Sequence, residues 1–69
     1  MKVSVIGVGL IGGSFALAIK ESFPESTIFG IDKNEGHVKE ALKIGFIDKA
    51  GKIEDLADSD VAIVAVPVG

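Results

Sequence analysis

Three glycines and one aspartate carry the clearest chemical signal in this 69-residue sequence. Gly7, Gly9 and Gly12 form a GxGxxG motif directly after an apolar, β-branched run. Asp32 follows the third glycine by about 20 positions, beyond a second apolar run. A glycine-rich turn between a strand and a helix can hold a pyrophosphate, and an acid at this spacing accepts hydrogen bonds from a ribose. The pattern therefore predicts dinucleotide binding.

Each glycine has a separate expected role. Gly7 makes the sharp turn, Gly9 lets the backbone approach the phosphates, and Gly12 lets the helix lie close to the sheet. The unpaired N–H groups at the start of the helix, at Leu10 and Ile11, point at the anion, and the helix dipole adds to their effect. The alternative is an ordinary turn, since the chain contains nine glycines. The strand before the motif and the helix after it favour the nucleotide.

Asp32 is expected to bind both hydroxyls of the adenosine ribose and to repel a phosphate on the 2′ oxygen. The sequence contains no arginine, which is the usual ligand of that phosphate. NAD is therefore the expected cofactor, and NADP is disfavoured. Two alternatives remain open: Asp32 caps the next segment, or the neighbouring Lys33 lets the site tolerate a phosphate.

The remaining polar residues give weaker signals. Ser14 either reaches a phosphate or bonds back to the helix carbonyl four residues earlier. His37, the single histidine, lies at the start of the second predicted helix, and we expect no catalytic role for it. Four acidic residues that precede the last strand are expected to form a solvated loop rather than an acid–base or cation site: Glu54, Asp55, Asp58 and Asp60. We identify no catalytic residue and no metal site.

Composition excludes several classes of partner. A net charge of −3 argues against binding to nucleic acid or to an anionic membrane surface. The chain contains no cysteine, which excludes a disulfide framework and fits a cytoplasmic protein. The apolar run over residues 61–68 is too short to span a bilayer.

The pattern of elements predicts an α/β fold of the Rossmann type. The first helix is expected over about Leu10–Ser22 and the second strand over Thr27–Ile31. Asn34 is a candidate N-cap for the second helix, which is expected to end at Ile44 and Gly45. The residues expected to face the core from the two helices are Ile11, Phe15, Ala18, Ile19 and Ser22, then Val38, Ala41 and Leu42.

A short third strand is expected within residues 46–50, a helical turn at 53–57 and a fourth strand at 61–66. The unbroken apolar run of the fourth strand indicates burial on both faces. Right-handed crossovers give the parallel order 3-2-1-4, flanked by helices. The first and fourth strands then lie side by side, and their carboxyl ends border the crevice where ligands bind. Pro67 is expected to end the fourth strand and to shape the crevice wall.

A set of motifs extends along the whole chain: GVGLIGGS at residues 7–14, Asp32, GFID at 45–48, ADSD at 57–60 and AVPV at 65–68. In these motifs the sequence resembles the N-terminal, NAD-binding part of prephenate dehydrogenases, over essentially all 69 residues. Pyrroline-carboxylate reductases and β-hydroxyacid dehydrogenases share the glycines and sometimes the proline.

The resemblance implies oxidative decarboxylation of prephenate to 4-hydroxyphenylpyruvate, in tyrosine biosynthesis, with NAD as the hydride acceptor. The family's catalytic histidine and substrate-binding arginines have no matching position in this chain. Only cofactor contacts are carried over. The expected cofactor-binding residues are Gly7, Gly9, Leu10, Ile11, Gly12, Asp32, Val66 and Pro67.

We interpret residues 1–69 as a truncated dinucleotide-binding domain that is inactive alone, because about 150 residues are usual for a whole domain. The resemblance implies that the substrate and all-helical dimerisation domain lies elsewhere in a full-length homodimer. One alternative is the cofactor domain of another dehydrogenase or reductase. A second is a non-enzymatic NAD-sensing module like the regulatory domains of potassium transport systems, which the AVPV segment disfavours.

Overall fold

A four-stranded parallel sheet forms the centre of the computed structural model, which describes residues 1–65 apart from the side chains of Leu10 and Ile11. The strand order is β3-β2-β1-β4, as predicted. The elements are β1 (Lys2–Ile6), α1 (Leu10–Ser22), β2 (Thr27–Ile31), α2 (Glu35–Ile44), β3 (Lys49–Ala50), a 3₁₀ helix (Ile53–Asp58) and β4 (Val61–Val64).

The core lies between the sheet and the two helices. Val3 on β1 is paired with Ile28 on β2. The side chains of Val3, Val5 and Ile28 are fully buried. Val5 faces α1, since a Cβ on Gly12 would lie 3.4 Å from its Cγ1 atom. These β-branched residues suit a strand that is covered by a helix on one face.

Small residues, rather than the predicted apolar stripe, form the buried side of α1. The prediction was right for Ile19 and wrong for Phe15, Ala18 and Ser22: Phe15 is 52% exposed and the other two are also exposed. The helix approaches the turn before it so closely at Gly12 that a larger side chain has no room there. Among the residues of α1 whose burial the structure describes, which do not include Ile11, those buried or packed against the core are Gly12, Gly13, Ala16 and Ile19.

The second helix begins and ends where the sequence predicts. Asn34 is the N-cap, and its side-chain oxygen accepts hydrogen bonds from the N–H groups of Gly36, at 2.9 Å, and His37, at 3.3 Å. Gly45 ends the helix with φ 94°, a left-handed conformation that glycine adopts without strain. The N–H of Gly45 bonds to the carbonyl of Ala41, so both ends of α2 are capped.

Two groups of apolar side chains lie outside the core, contrary to expectation. Leu42 on α2 is 40% exposed, whereas its neighbour Ala41 is buried. In β4, Val61 is 40% exposed and Val64 is 66% exposed; only Ile63 packs against the core. The prediction that the fourth strand is buried on both faces was wrong for residues 61–64, which have a neighbouring strand on one side only.

The acidic residues before β4 fasten the 3₁₀ helix to the start of β1. The Nζ atom of Lys2 lies 3.1 Å from Asp55 and 2.6 Å from Asp58, and the Lys2 N–H donates to Asp60 at 2.7 Å. The hydrogen bond to Asp58 raises the pKa of Lys2 above its usual range. These contacts tie the 3₁₀ helix to the start of β1, while Asp58 and Asp60 remain exposed, as expected for a solvated loop.

Candidate nucleotide-binding site

The glycine turn has the geometry that its sequence predicts. Gly7 has φ 88°, and its N–H donates a 2.7 Å hydrogen bond to the carbonyl of Ile31 at the end of β2. A Cβ on Gly12 would lie 1.9 Å from the carbonyl oxygen of Gly7, which only glycine allows. The predictions that Gly7 makes the turn and that Gly12 permits close packing are confirmed.

Gly9, the second glycine of the motif, faces open space. A Cβ on Gly9 would have no described heavy atom within 4 Å, so packing within residues 1–65 does not require glycine there. Gly9 is the N-cap of α1 and supplies no side-chain cap, and the first turn of α1 carries no acidic residue. The start of α1 thus offers N–H groups and the positive end of a dipole to an approaching anion.

Asp32 lies beside this turn. Its Oδ2 atom accepts a hydrogen bond from the Val8 N–H at 3.0 Å, and Oδ1 accepts one from the Asn34 N–H at 2.9 Å. The side chain is 15% exposed. The bond to Asn34 is the local capping role that the sequence left as an alternative, and it coexists with a position next to the glycine turn.

The carboxyl group of Asp32 is ionised at neutral pH. Burial raises its pKa, but hydrogen bonds from the Asn34 and Val8 N–H groups and from His37 outweigh burial and hold the pKa below its usual range. A charged carboxylate is a strong acceptor for hydroxyl groups and repels a phosphate. These properties match the recognition of an unmodified ribose.

His37 lies beside Asp32, a position that the sequence did not predict. Its Nδ1 atom lies 3.3 Å from Oδ2 of Asp32, and its side chain is 51% exposed. His37 is the third residue after the N-cap Asn34. A side chain at that position can reach back towards the residues before the helix. The spacing from the predicted cap was the signal that could have placed His37 here.

A cleft of about 210 Å³ opens between the glycine turn and α2. It adjoins the contact between α1 and the segment that follows α2, where a Cβ on Gly13 would lie 2.5 Å from the ring of Phe46. Apolar side chains form much of its wall, and His37 and Glu40 supply polar groups. The lining residues are Val8, Gly9, His37, Glu40, Ala41, Ile44 and Phe46.

The structure describes only some of the remaining residues that were predicted to contact the cofactor. Leu10 and Ile11 begin α1, so their main chain lies at the start of the helix. Ser14 is exposed on α1. Val66 and Pro67 lie outside the described residues. Within residues 1–65, no group of three potential ligand side chains could hold a metal ion, and no helix is long and apolar enough to cross a membrane.

The parallel sheet, the glycine turn and the ionised acid at the end of β2 define a dinucleotide-binding domain of the Rossmann type. Residues 15–69 match the family model for the prephenate dehydrogenase nucleotide-binding domain, and the chain belongs to this family. The match begins after the glycine turn, so the family assignment and the glycine motif are separate observations.

Curated relatives agree with this family. The chain is 41% identical over 68 residues to a prephenate dehydrogenase of Bacillus subtilis (strain 168), with 96% of the chain and 18% of the relative covered. It is 43% identical over 68 residues to a prephenate dehydrogenase of Lactococcus lactis subsp. cremoris (strain MG1363), with 97% and 19% covered. The chain thus spans less than a fifth of the length of each.

Two solved structures share the fold with a TM-score of 0.83, and each comparison covers 97% of this chain and 24% of the other. One is prephenate dehydrogenase from A. aeolicus, 31% identical, in complex with hydroxyphenyl propionate and NAD+. The other is Synechocystis arogenate dehydrogenase, 25% identical.

Proposed function

We propose that this chain is the NAD-binding portion of an oxidoreductase that oxidatively decarboxylates prephenate to 4-hydroxyphenylpyruvate, a step of tyrosine biosynthesis. The observation that carries the proposal is the ionised Asp32 carboxylate beside the glycine turn, in a chain of this family. We further propose a homodimeric, cytoplasmic enzyme whose substrate and dimerisation domain lies outside residues 1–69, so that these residues alone are inactive.

The residues present fit a dinucleotide. The open space at Gly9 admits a pyrophosphate, and the N–H groups of Leu10 and Ile11 at the start of α1 would bind it. Asp32 would accept hydrogen bonds from the adenosine ribose. NAD, when bound, supplies the hydride acceptor. The contact between Gly7 and Gly12 fixes the start of α1 against the turn. The N–H groups of α1 and the Asp32 carboxylate would therefore be aligned before the cofactor binds.

Two further contacts complete the proposed set. Val66 and Pro67 would border the nicotinamide ribose at the carboxyl end of β4, as the family resemblance implies. The catalytic histidine and the substrate-binding arginines of the family would come from chain outside residues 1–69. His37 does not correspond to that catalytic histidine, because it lies next to Asp32, on the proposed ribose side of the site.

NAD is favoured over NADP for an electrostatic reason. Asp32 is ionised, and a 2′-phosphate would bring a second negative charge against it. The sequence provides no arginine to offset that charge. The similar A. aeolicus enzyme was crystallised with NAD+.

Arogenate is a second candidate substrate, because one of the similar structures is an arogenate dehydrogenase. Synechocystis arogenate dehydrogenase has the same TM-score to this chain as the A. aeolicus prephenate dehydrogenase. The nucleotide-binding fold is therefore compatible with either substrate, and the test includes both.

The test measures formation of reduced cofactor by the full-length protein, given prephenate or arogenate with NAD or NADP. Turnover of prephenate with NAD is the expected result. Turnover of arogenate alone would replace the substrate and keep the oxidoreductase. Turnover with NADP alone would contradict the role of Asp32. Binding of NAD without turnover of either substrate would favour another dehydrogenase or a sensor.

A further inference from the structure

His37 competes with the ribose for Asp32 in the arrangement that the structure shows. The Oδ2 atom of Asp32 accepts a hydrogen bond from the Val8 N–H at 3.0 Å and also lies 3.3 Å from Nδ1 of His37. The Oδ1 atom accepts a hydrogen bond from the Asn34 N–H. One carboxylate therefore has three protein partners before any ligand is considered.

The number of acceptor positions limits what else Asp32 can bind. A carboxylate offers about four lone-pair positions, two on each oxygen. Val8 and Asn34 take one on each, and His37 takes the second position on Oδ2. Two ribose hydroxyls that bind one to each oxygen need a free position on both, and Oδ2 has none while His37 stays in place.

We propose that His37 is a specificity-determining residue: its imidazole occupies the acceptor position on Asp32 that the ribose needs, and NAD must displace it. This inference rests on the proposed function, since it concerns the same cofactor. His37 thereby sets the affinity for NAD without contacting the reacting atoms.

The imidazole is suited to displacement. Its contact with Asp32 is longer than the two main-chain contacts, and 51% of its side chain is exposed, so it can rotate towards solvent. Asp32 does not depend on it for orientation, because the Val8 and Asn34 N–H groups hold both oxygens. Glu40 lines the same cleft and offers another acceptor on that side.

The contact also affects discrimination between the two cofactors. An N–H donor against Asp32 offsets part of the carboxylate charge that repels a 2′-phosphate. Removing the imidazole should strengthen NAD binding, because an acceptor position on Oδ2 becomes free for a ribose hydroxyl. NADP binding should not strengthen in the same way, because its 2′ oxygen carries the phosphate that Asp32 repels. A change in general stability would alter both affinities in the same direction.

The test compares NAD and NADP affinities, by calorimetric titration, for the full-length protein and two variants. His37→Phe keeps a flat ring without the donor, and His37→Ala removes the ring. Lys43→Gln is the matched control: it changes an exposed residue on the same helix, about 9 Å further along the axis. Thermal unfolding of every protein confirms that it is folded.

We expect both His37 variants to bind NAD about three- to tenfold more tightly, the effect of one hydrogen bond. The ratio of NAD to NADP affinity should rise by a similar factor, and Lys43→Gln should change neither. Unchanged or weaker NAD binding in folded His37 variants, with normal binding by the unmodified protein, would overturn the inference alone. Failure of the unmodified protein to bind NAD would instead contradict the proposed function.

Discussion

The main-chain N–H of Val8 donates a 3.0 Å hydrogen bond to Oδ2 of Asp32. This bond joins the middle of the glycine turn to the acid after β2. The N–H of Gly7 adds a second link, to the carbonyl of Ile31. The glycine turn and Asp32 are thus held at a fixed separation, which would reduce the ordering cost of binding the proposed cofactor.

Asp32→Asn should weaken NAD binding by about ten- to one-hundredfold, because hydrogen bonds to a charged group are the stronger kind. NADP binding should fall less, since repulsion of the 2′-phosphate is removed. Titration of both cofactors measures the two effects. Asp48→Asn is the control: Asp48 also accepts a main-chain N–H, from Ile28, and pairs with Lys20, away from the glycine turn. Equal losses of NAD affinity in both variants would contradict the role of Asp32.

The variants Gly12→Ala and Gly9→Ala should distinguish a glycine that is needed for packing of the fold from one that is needed for NAD binding. At Gly12 the new Cβ would meet the Gly7 carbonyl oxygen at 1.9 Å. The free energy of unfolding should fall by about 3 kcal/mol, the upper end of what overpacking costs. At Gly9 the Cβ enters open space, and the loss should stay below about 1 kcal/mol, mainly from a poorer N-cap.

NAD titration completes this comparison. Gly9→Ala should bind NAD about tenfold more weakly although its fold is intact, because the methyl group occupies the path of the phosphates. Urea unfolding gives the stabilities. If Gly9→Ala bound NAD normally, the phosphates could not lie against this turn.

Stability should depend on the ionisation of Asp48. Burial raises the pKa of this carboxyl, but the Ile28 N–H and the ammonium of Lys20 outweigh burial and lower it. A carboxyl with a pKa below its unfolded value stabilises the fold above that value, about 3.9, and the contribution is lost as pH falls through the lower, folded pKa. Asp48→Asn should therefore be less stable than the unmodified protein at neutral pH.

The stability difference between the two proteins should shrink as pH falls below about 4. Urea unfolding at a series of pH values, at constant ionic strength, follows this difference. A difference that stays constant down to acid pH would show that the ionised form of Asp48 has no special stabilising role.

Asn34→Ala should destabilise the protein by about 1 kcal/mol, because two N–H groups at the start of α2 lose their side-chain acceptor. Asn34→Ser keeps a capping oxygen and should restore most of the loss. Thermal unfolding distinguishes them. Equal stability of the alanine and serine variants would mean that the cap contributes little.

The sequence predicted the backbone of this fold better than its buried surfaces. Gly7, Asn34 and Gly45 were identifiable because each has a local conformation or cap that few residue types supply. Phe15 was misplaced because α1 turns Gly12 towards the core and leaves Phe15 exposed. Gly12 packs against the carbonyl of Gly7, a contact that residue hydrophobicity does not describe.

Two further differences arise from tertiary context. Val64 belongs to an apolar run that is typical of a buried strand. In the structure β4 is an edge strand, and the side chain of Val64 is 66% exposed. The contact of His37 with Asp32 was not predicted, because the sequence did not show which way its side chain would point. His37 is the third residue after the cap Asn34, and from there its side chain reaches Asp32.

The proposed cofactor preference is tested most directly by titrating the full-length protein with NAD and, separately, with NADP. We expect saturable NAD binding that is at least about tenfold tighter than NADP binding, because Asp32 is ionised beside the glycine turn. Absence of NAD binding, or tighter binding of NADP, would contradict this proposal.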